Sequence, residues 1–144
     1  MLTKKGKYGL KAMVHLAEIE KGELASVNAI AIARQIPRKF LDNILTELRN
    51  AGFVHSRKGK GGGFCLAKPA NEIRIGNIIR ILDGPLAPIS CASKTRYRPC
   101  DDCNEENCEV RLMMLDVREA IATVLDNRTL AETGAPVMDE LLKI

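Results

Sequence analysis

The sequence predicts a mainly α-helical chain with one small β-hairpin. Three observations carry that expectation. Apolar residues recur at helical spacing over most of the chain, a single pair of short apolar runs flanks a glycine-rich segment, and Gly22, Pro37, Gly52 and Asp83-Gly84-Pro85 fall where helices stop or start. The 144 residues suffice for one compact unit, or a small domain with an extension, but not for two large domains.

From about Gly6 to Glu20, the spacing of Leu10, Met13, Val14 and Ala17 predicts a first helix that ends near Lys21-Gly22, where glycine can take the left-handed cap. Lys4, Lys5 and Lys7 crowd its start and are free for phosphate. Asn28 to Gln35, rich in Ala and Ile, predicts a short second helix, and Pro37 suits the first turn of a third that begins at about Arg38. This third helix runs to Ala51 and stops at Gly52. Its spacing buries Phe40, Leu41, Ile44, Leu45 and Leu48 and leaves Arg38, Lys39, Asp42, Asn43, Thr46 and Arg49 outside. Two short helices joined by a tight turn, the second presenting a polar face, form a helix-turn-helix signature that places the second helix in a major groove.

An ordinary three-helix core with a solvated basic face would read the same way, so the next segment decides. Phe53-Val54 and Phe64-Cys65-Leu66 can pair as strands around Arg57-Lys58-Gly59-Lys60-Gly61-Gly62-Gly63. The glycines let backbone approach phosphates closely and the cations supply attraction, which reads as a wing. Residues 1–68 carry 13 Lys and Arg against 5 Asp and Glu, a net of +8, whereas residues 69–144 carry 9 against 13, a net of −4. A polyanion-binding half is joined to one that must not bind the polyanion. Aromatic content of 3% with no Trp argues against stacking on single-stranded bases and favours duplex DNA.

After Lys68-Pro69, Ile73 to Leu82 predicts a fourth helix ended by Asp83-Gly84-Pro85. The stretch from Pro85 to Cys108 lacks a period and reads as a loop ordered by a ligand. It holds Cys91, Cys100, Cys103 and Cys108, spaced C-x8-C-x2-C-x4-C. With no signal-type apolar stretch and no membrane-length run, the chain is expected to be cytoplasmic, where thiols persist as metal ligands. One short knuckle, Cys100 to Cys103, with two uneven outliers, suits a [2Fe-2S] cluster better than structural zinc, which stays an alternative beside [4Fe-4S]. The acidic and amide residues from Asp101 to Asn107 make the loop too polar for an inert buried thiol cluster. Cys65, on a wing strand, reads as a small hydrophobe. His15 reads as a core or interface residue.

Glu109 to about Asp126 returns to helical spacing, with Val110, Met113, Met114, Val117, Ile121 and Val124 as a seam wide enough to pack on a partner. Thr129 to Glu132 matches a capping box and starts a last short helix that can bend at Gly134-Ala135-Pro136. No nucleophile–base or paired-carboxylate constellation stands out, and Gly61-Gly62-Gly63 lacks the helix that a nucleotide-phosphate loop needs, so an enzyme is not expected.

Leu2-Thr3-Lys4-Lys5-Gly6-Lys7-Tyr8, the helix from Phe40 to Leu45 leading to Leu48-Arg49-Asn50-Ala51-Gly52-Phe53-Val54, and Arg57 to Phe64 together resemble the IscR, NsrR, RirA and CymR family of bacterial winged-helix regulators, the Rrf-two type. The resemblance covers nearly the whole chain. It implies a homodimer in which the helix after the cysteines crosses to the other subunit, and a cluster whose state tunes binding to a palindromic operator. It also implies that Lys39, Phe40, Asp42, Asn43, Arg57, Lys58 and Lys60 lie at the DNA. Lys4, Lys5, Arg38 and Gly61 join them on the charge and glycine arguments above. Family members generally use three cysteines, which map to Cys91, to Cys100 or Cys103, and to Cys108. At the positions where relatives place a non-cysteine ligand this chain has Arg111 and Lys7, so both Cys100 and Cys103 are expected to serve in an all-thiolate site. The expected organisation is a winged helix-turn-helix DNA-binding region over 1–69, a linking helix and cysteine loop over 70–108, and a dimerisation helix with a C-terminal helix over 109–144. The implied role is a redox, iron or nitric oxide sensor; the alternative is a cluster-free regulator sensing thiol oxidation or a partner protein.

Overall fold

Polar side chains cap the starts of the first two helices in the computed structural model, which describes residues 2–132. Helix α1 spans Lys4–Glu18 and starts earlier than its apolar spacing suggests, because the Thr3 hydroxyl caps it by accepting from the Gly6 N–H at 3.2 Å. It ends before the glycine: Ile19 leaves in extended conformation, and Gly22, at φ +91°, serves the following turn instead. The buried stripe is Gly6, Gly9, Ala12, Met13 and Leu16, whereas Leu10, Val14 and Ala17 are half-buried.

Helix α2, Val27–Arg34, is capped by Ser26, and Gln35 ends it in the left-handed conformation, at φ 53° and ψ 51°. Ile36 is buried in the turn, and Pro37 opens α3, Arg38–Asn50. Leu41, Ile44, Leu45 and Leu48 fill the inner face of α3 as expected. Phe40 does not join them. It is 45% exposed and meets the Tyr8 ring edge-on at 5.7 Å, because it sits at the rim of the apolar arc, where α1 offers only a partial cover.

Strands β1, Val54–Arg57, and β2, Gly63–Leu66, pair antiparallel with Val54 opposite Leu66 and Arg57 opposite Gly63. Ala25, just before α2, exchanges both backbone bonds with Phe64, at 2.9 and 2.8 Å, and so adds a one-residue third strand that ties the hairpin to the helices. Gly63 is required there, since a Cβ would stand 2.5 Å from the Ala25 carbonyl oxygen.

Helix α4, Ile75–Asp83, packs on α1 and stops at Gly84. After the cysteine loop, which contains single turns of 3-10 helix at Ser90–Ala92 and Glu105–Asn107, helix α5 covers Glu109–Asp126, the expected bounds. Both Arg80 Nη atoms reach the Asp126 carboxylate, at 2.7 and 2.8 Å, joining α4 to the end of α5. Leu130 then bonds back to the Ile73 carbonyl at 3.0 Å. The Thr129 N–H donates to Glu132 at 3.1 Å, half of the expected capping box, on a 3-10 turn over Leu130–Glu132. The bend expected at Gly134-Ala135-Pro136 lies outside the described residues. A single apolar core runs from Ala12 through Leu45, Val54 and Ile78 to Leu130. Among the described residues no helix is long and apolar enough to cross a membrane.

Candidate nucleic-acid interface and metal centre

The basic residues lie on three elements, the start of α1, α3 and the hairpin, which are joined by side-chain contacts. The start of α1 meets α3 through the Tyr8–Phe40 contact and through Lys5, whose Nζ lies 2.6 Å from Glu47. Lys5 is therefore not the free cation expected; Lys4 and Lys7 are exposed and form no ion pair among the described residues. On α3, Arg38, Lys39, Asp42 and Asn43 are all exposed, and none of their side chains is tied to another described residue. The Arg49 guanidinium donates to Ser56 at 3.4 Å, linking the end of α3 to β1. Arg57 closes the strand pairing, so the tip of the hairpin is the Lys58-to-Gly62 turn, with Lys58, Lys60 and Gly61 exposed. Gly59 and Gly61 take φ +97° and +77° there, a conformation that a side chain would strain.

The cysteine loop leaves α4 at Gly84 and returns at Cys108, which caps α5. Sγ of Cys100, Sγ of Cys103 and a carboxylate oxygen of Asp102 lie within 4.8 Å of one another. Hydrogen bonding with Cys100, desolvation and the Cys108 side chain push the Cys103 thiol up to about 12. Thiols this close cannot all ionise without a cation among them, so the Cys100 and Cys103 sulfurs with the Asp102 carboxylate, and Cys108 beside Cys103, offer soft donors that fit a metal or cluster. Neither Cys91 nor Cys108 is part of the group of Cys100, Asp102 and Cys103, and Cys91 is buried in the first 3-10 turn.

Several supporting residues escaped the sequence reading. The Glu105 carboxylate accepts from the Cys100 N–H at 2.5 Å and from the Tyr97 hydroxyl, shaping the turn that presents Cys100. Arg111 Nε donates to the Cys91 carbonyl at 2.9 Å, and Lys94 pairs with Glu119, so two contacts anchor the loop to α5. Asp102 was visible only as loop polarity. No spacing rule singles out Glu105, and Arg111 was noted only as standing where relatives place a ligand, not for its bond to the Cys91 backbone. Across α5, Val110, Met113, Val117 and Val124 remain 41–54% exposed along one face, an apolar stripe with no cover among the described residues, while Leu112, also exposed, lies off that face.

The sequence model of the Rrf2 family, described as iron-dependent transcriptional regulators, matches residues 2–135. The chain belongs to the Rrf2 family. A relative named as an rrf2-like HTH-type transcriptional regulator of Rhodobacter capsulatus is 37% identical over 136 residues, covering 92% of this chain and 91% of that protein. Among solved structures, CymR, titled the global cysteine regulator of B. subtilis, superposes with a TM-score of 0.76 at 31% identity, over 92% of this chain and 95% of its own. IscR of T. potens gives 0.74 at 28% identity, over 92% and 85%. This Rrf2 chain is a DNA-binding transcriptional regulator with a cysteine cluster of its own.

Proposed function

We propose that this regulator is a homodimer that binds a palindromic operator under control of a [2Fe-2S] cluster held by Cys91, Cys100, Cys103 and Cys108. The grouping of the Cys100 and Cys103 sulfurs with the Asp102 carboxylate, with Cys108 beside Cys103, supports this reading most directly. When bound, an iron-sulfur cluster supplies a centre that reacts with oxidants and nitric oxide. Everything else is the work of the chain. Thiolates hold the group, Glu105 shapes the Cys100 turn, and Arg111 and Lys94 carry the state of the loop to α5. The apolar stripe of α5 packs on its twin, so tilting α5 changes the spacing of two α3 helices, roughly one turn of DNA (~34 Å) apart. Lys4, Arg38, Lys39, Arg57, Lys58 and Lys60 face phosphates, Gly61 lets the wing backbone approach, and Phe40, Asp42 and Asn43 face the groove. Lys5 steadies α3 through Glu47.

Anaerobic purification with iron and sulfide analysis and a visible spectrum tests the reading. About two irons and two sulfides per subunit, with bands bleached by oxygen or nitric oxide, are expected. Cys100→Ala and Cys103→Ala should each lose iron or alter the spectrum; a variant with full iron and an unchanged spectrum overturns four-cysteine ligation. A colourless protein after reconstitution leaves the cluster-free thiol-sensing reading, which the likeness to CymR favours.

A further inference from the structure

Cys91 lies outside the group of Cys100, Asp102 and Cys103, so where its thiol sits depends on how its turn is held. The turn is closed internally by the Arg98 N–H on the Ser90 carbonyl, at 3.2 Å, and Cys91 is 8% exposed. Two side chains anchor it to α5. The Lys94–Glu119 pair is more than half exposed on both sides, where an ion pair contributes little. Arg111 is half-buried and donates directly to the backbone of Cys91 itself. It also stands three residues after Cys108, about one helical turn along α5.

We propose that Arg111 is a positioning residue for Cys91 and the charge partner of the cysteine centre. Its Nε–H fixes the turn that presents the thiol, and its guanidinium offsets the negative charge that an all-thiolate iron-sulfur site carries in either oxidation state. The inference rests on reading the cysteines as cluster ligands.

The bond that Arg111 makes allows its two roles to be separated. Nε, not a terminal nitrogen, is the donor, and glutamine places its amide nitrogen the same number of bonds from Cα. R111Q therefore keeps a donor and loses the charge; R111M loses both at similar length. In the cluster-free protein, alkylation of Cys91 by iodoacetamide, read by mass spectrometry, should match wild type in R111Q and rise about tenfold in R111M, the scale of one hydrogen bond. Cys65, on β2, serves as the control for general unfolding. In the reconstituted protein, both variants should show a lower midpoint potential than wild type, while only R111M sheds iron faster. Wild-type Cys91 protection and iron retention in R111M would overturn the positioning role, and an unchanged potential in R111Q would overturn the charge role. If the wild type takes up no iron, the cluster reading fails by itself, and the alkylation rates still decide whether Arg111 holds Cys91.

Discussion

At Gly9 the missing side chain sets how closely α1 and α4 approach. A Cβ there would stand 2.0 Å from Leu82 Cδ1, deep in the shared core. Gly9→Ala should gain up to about 1 kcal/mol in helix propensity and lose about 1–3 kcal/mol to overpacking; a net fall in the urea midpoint is expected, and a rise would show that Leu82 moves freely aside. His15 offers a second test. Its Nδ1 accepts from Arg34 Nε at 3.3 Å, and burial followed by the Arg34 charge lowers its pKa below the usual 6.5, against a smaller opposite effect of Glu18. The unfolded chain therefore binds the proton more readily, so His15 contributes stability above 6.5 that is lost as pH falls through its lower folded value. The urea midpoint should drop between about pH 7.5 and pH 5.5 in the wild type and drop less in His15→Gln. The sequence placed His15 among apolar residues but could not name Arg34, which belongs to another helix.

The helix-turn-helix and the hairpin were legible because their signals are local. Pro37, Gly52 and the apolar period of α3 lie within the elements that they define, and α5 kept its expected bounds for the same reason. The Ala25–Phe64 bridge and the Arg80–Asp126 pair were not legible, since each joins residues far apart in sequence with no repeating pattern. Phe40 and Lys5 were misread on one axis only: period alone cannot tell a rim position from a buried one, nor a free lysine from one that faces Glu47. For the wing, Arg57→Ala and Lys58→Ala should each weaken operator and random DNA alike and reduce the slope of log affinity against log salt by about one. Titrations across a salt series check this, and a slope unchanged in both variants would remove the wing from the interface.

At the scale of the whole molecule, the apolar stripe of α5 stays uncovered among the described residues. Its residues recur on one face, opposite the side occupied by Arg118 and Ala122. Val117→Glu should give a monomer by light scattering and reduce operator affinity by at least tenfold, since one half-site then binds alone. A dimer that persists would move the interface elsewhere.

Asp83 has a further consequence at this scale. It is the last residue of α4, directly before Gly84 and the cysteine loop, and its carboxylate accepts from the Thr3 backbone N–H at 2.9 Å and from the Thr3 hydroxyl. Thr3 in turn caps α1 beside Lys4. The root of the loop and the cationic tip of α1 thus share one carboxylate as a pivot. The Asp83–Thr3 bonds join the foot of the loop to the start of α1 by a connection that lies outside the apolar core.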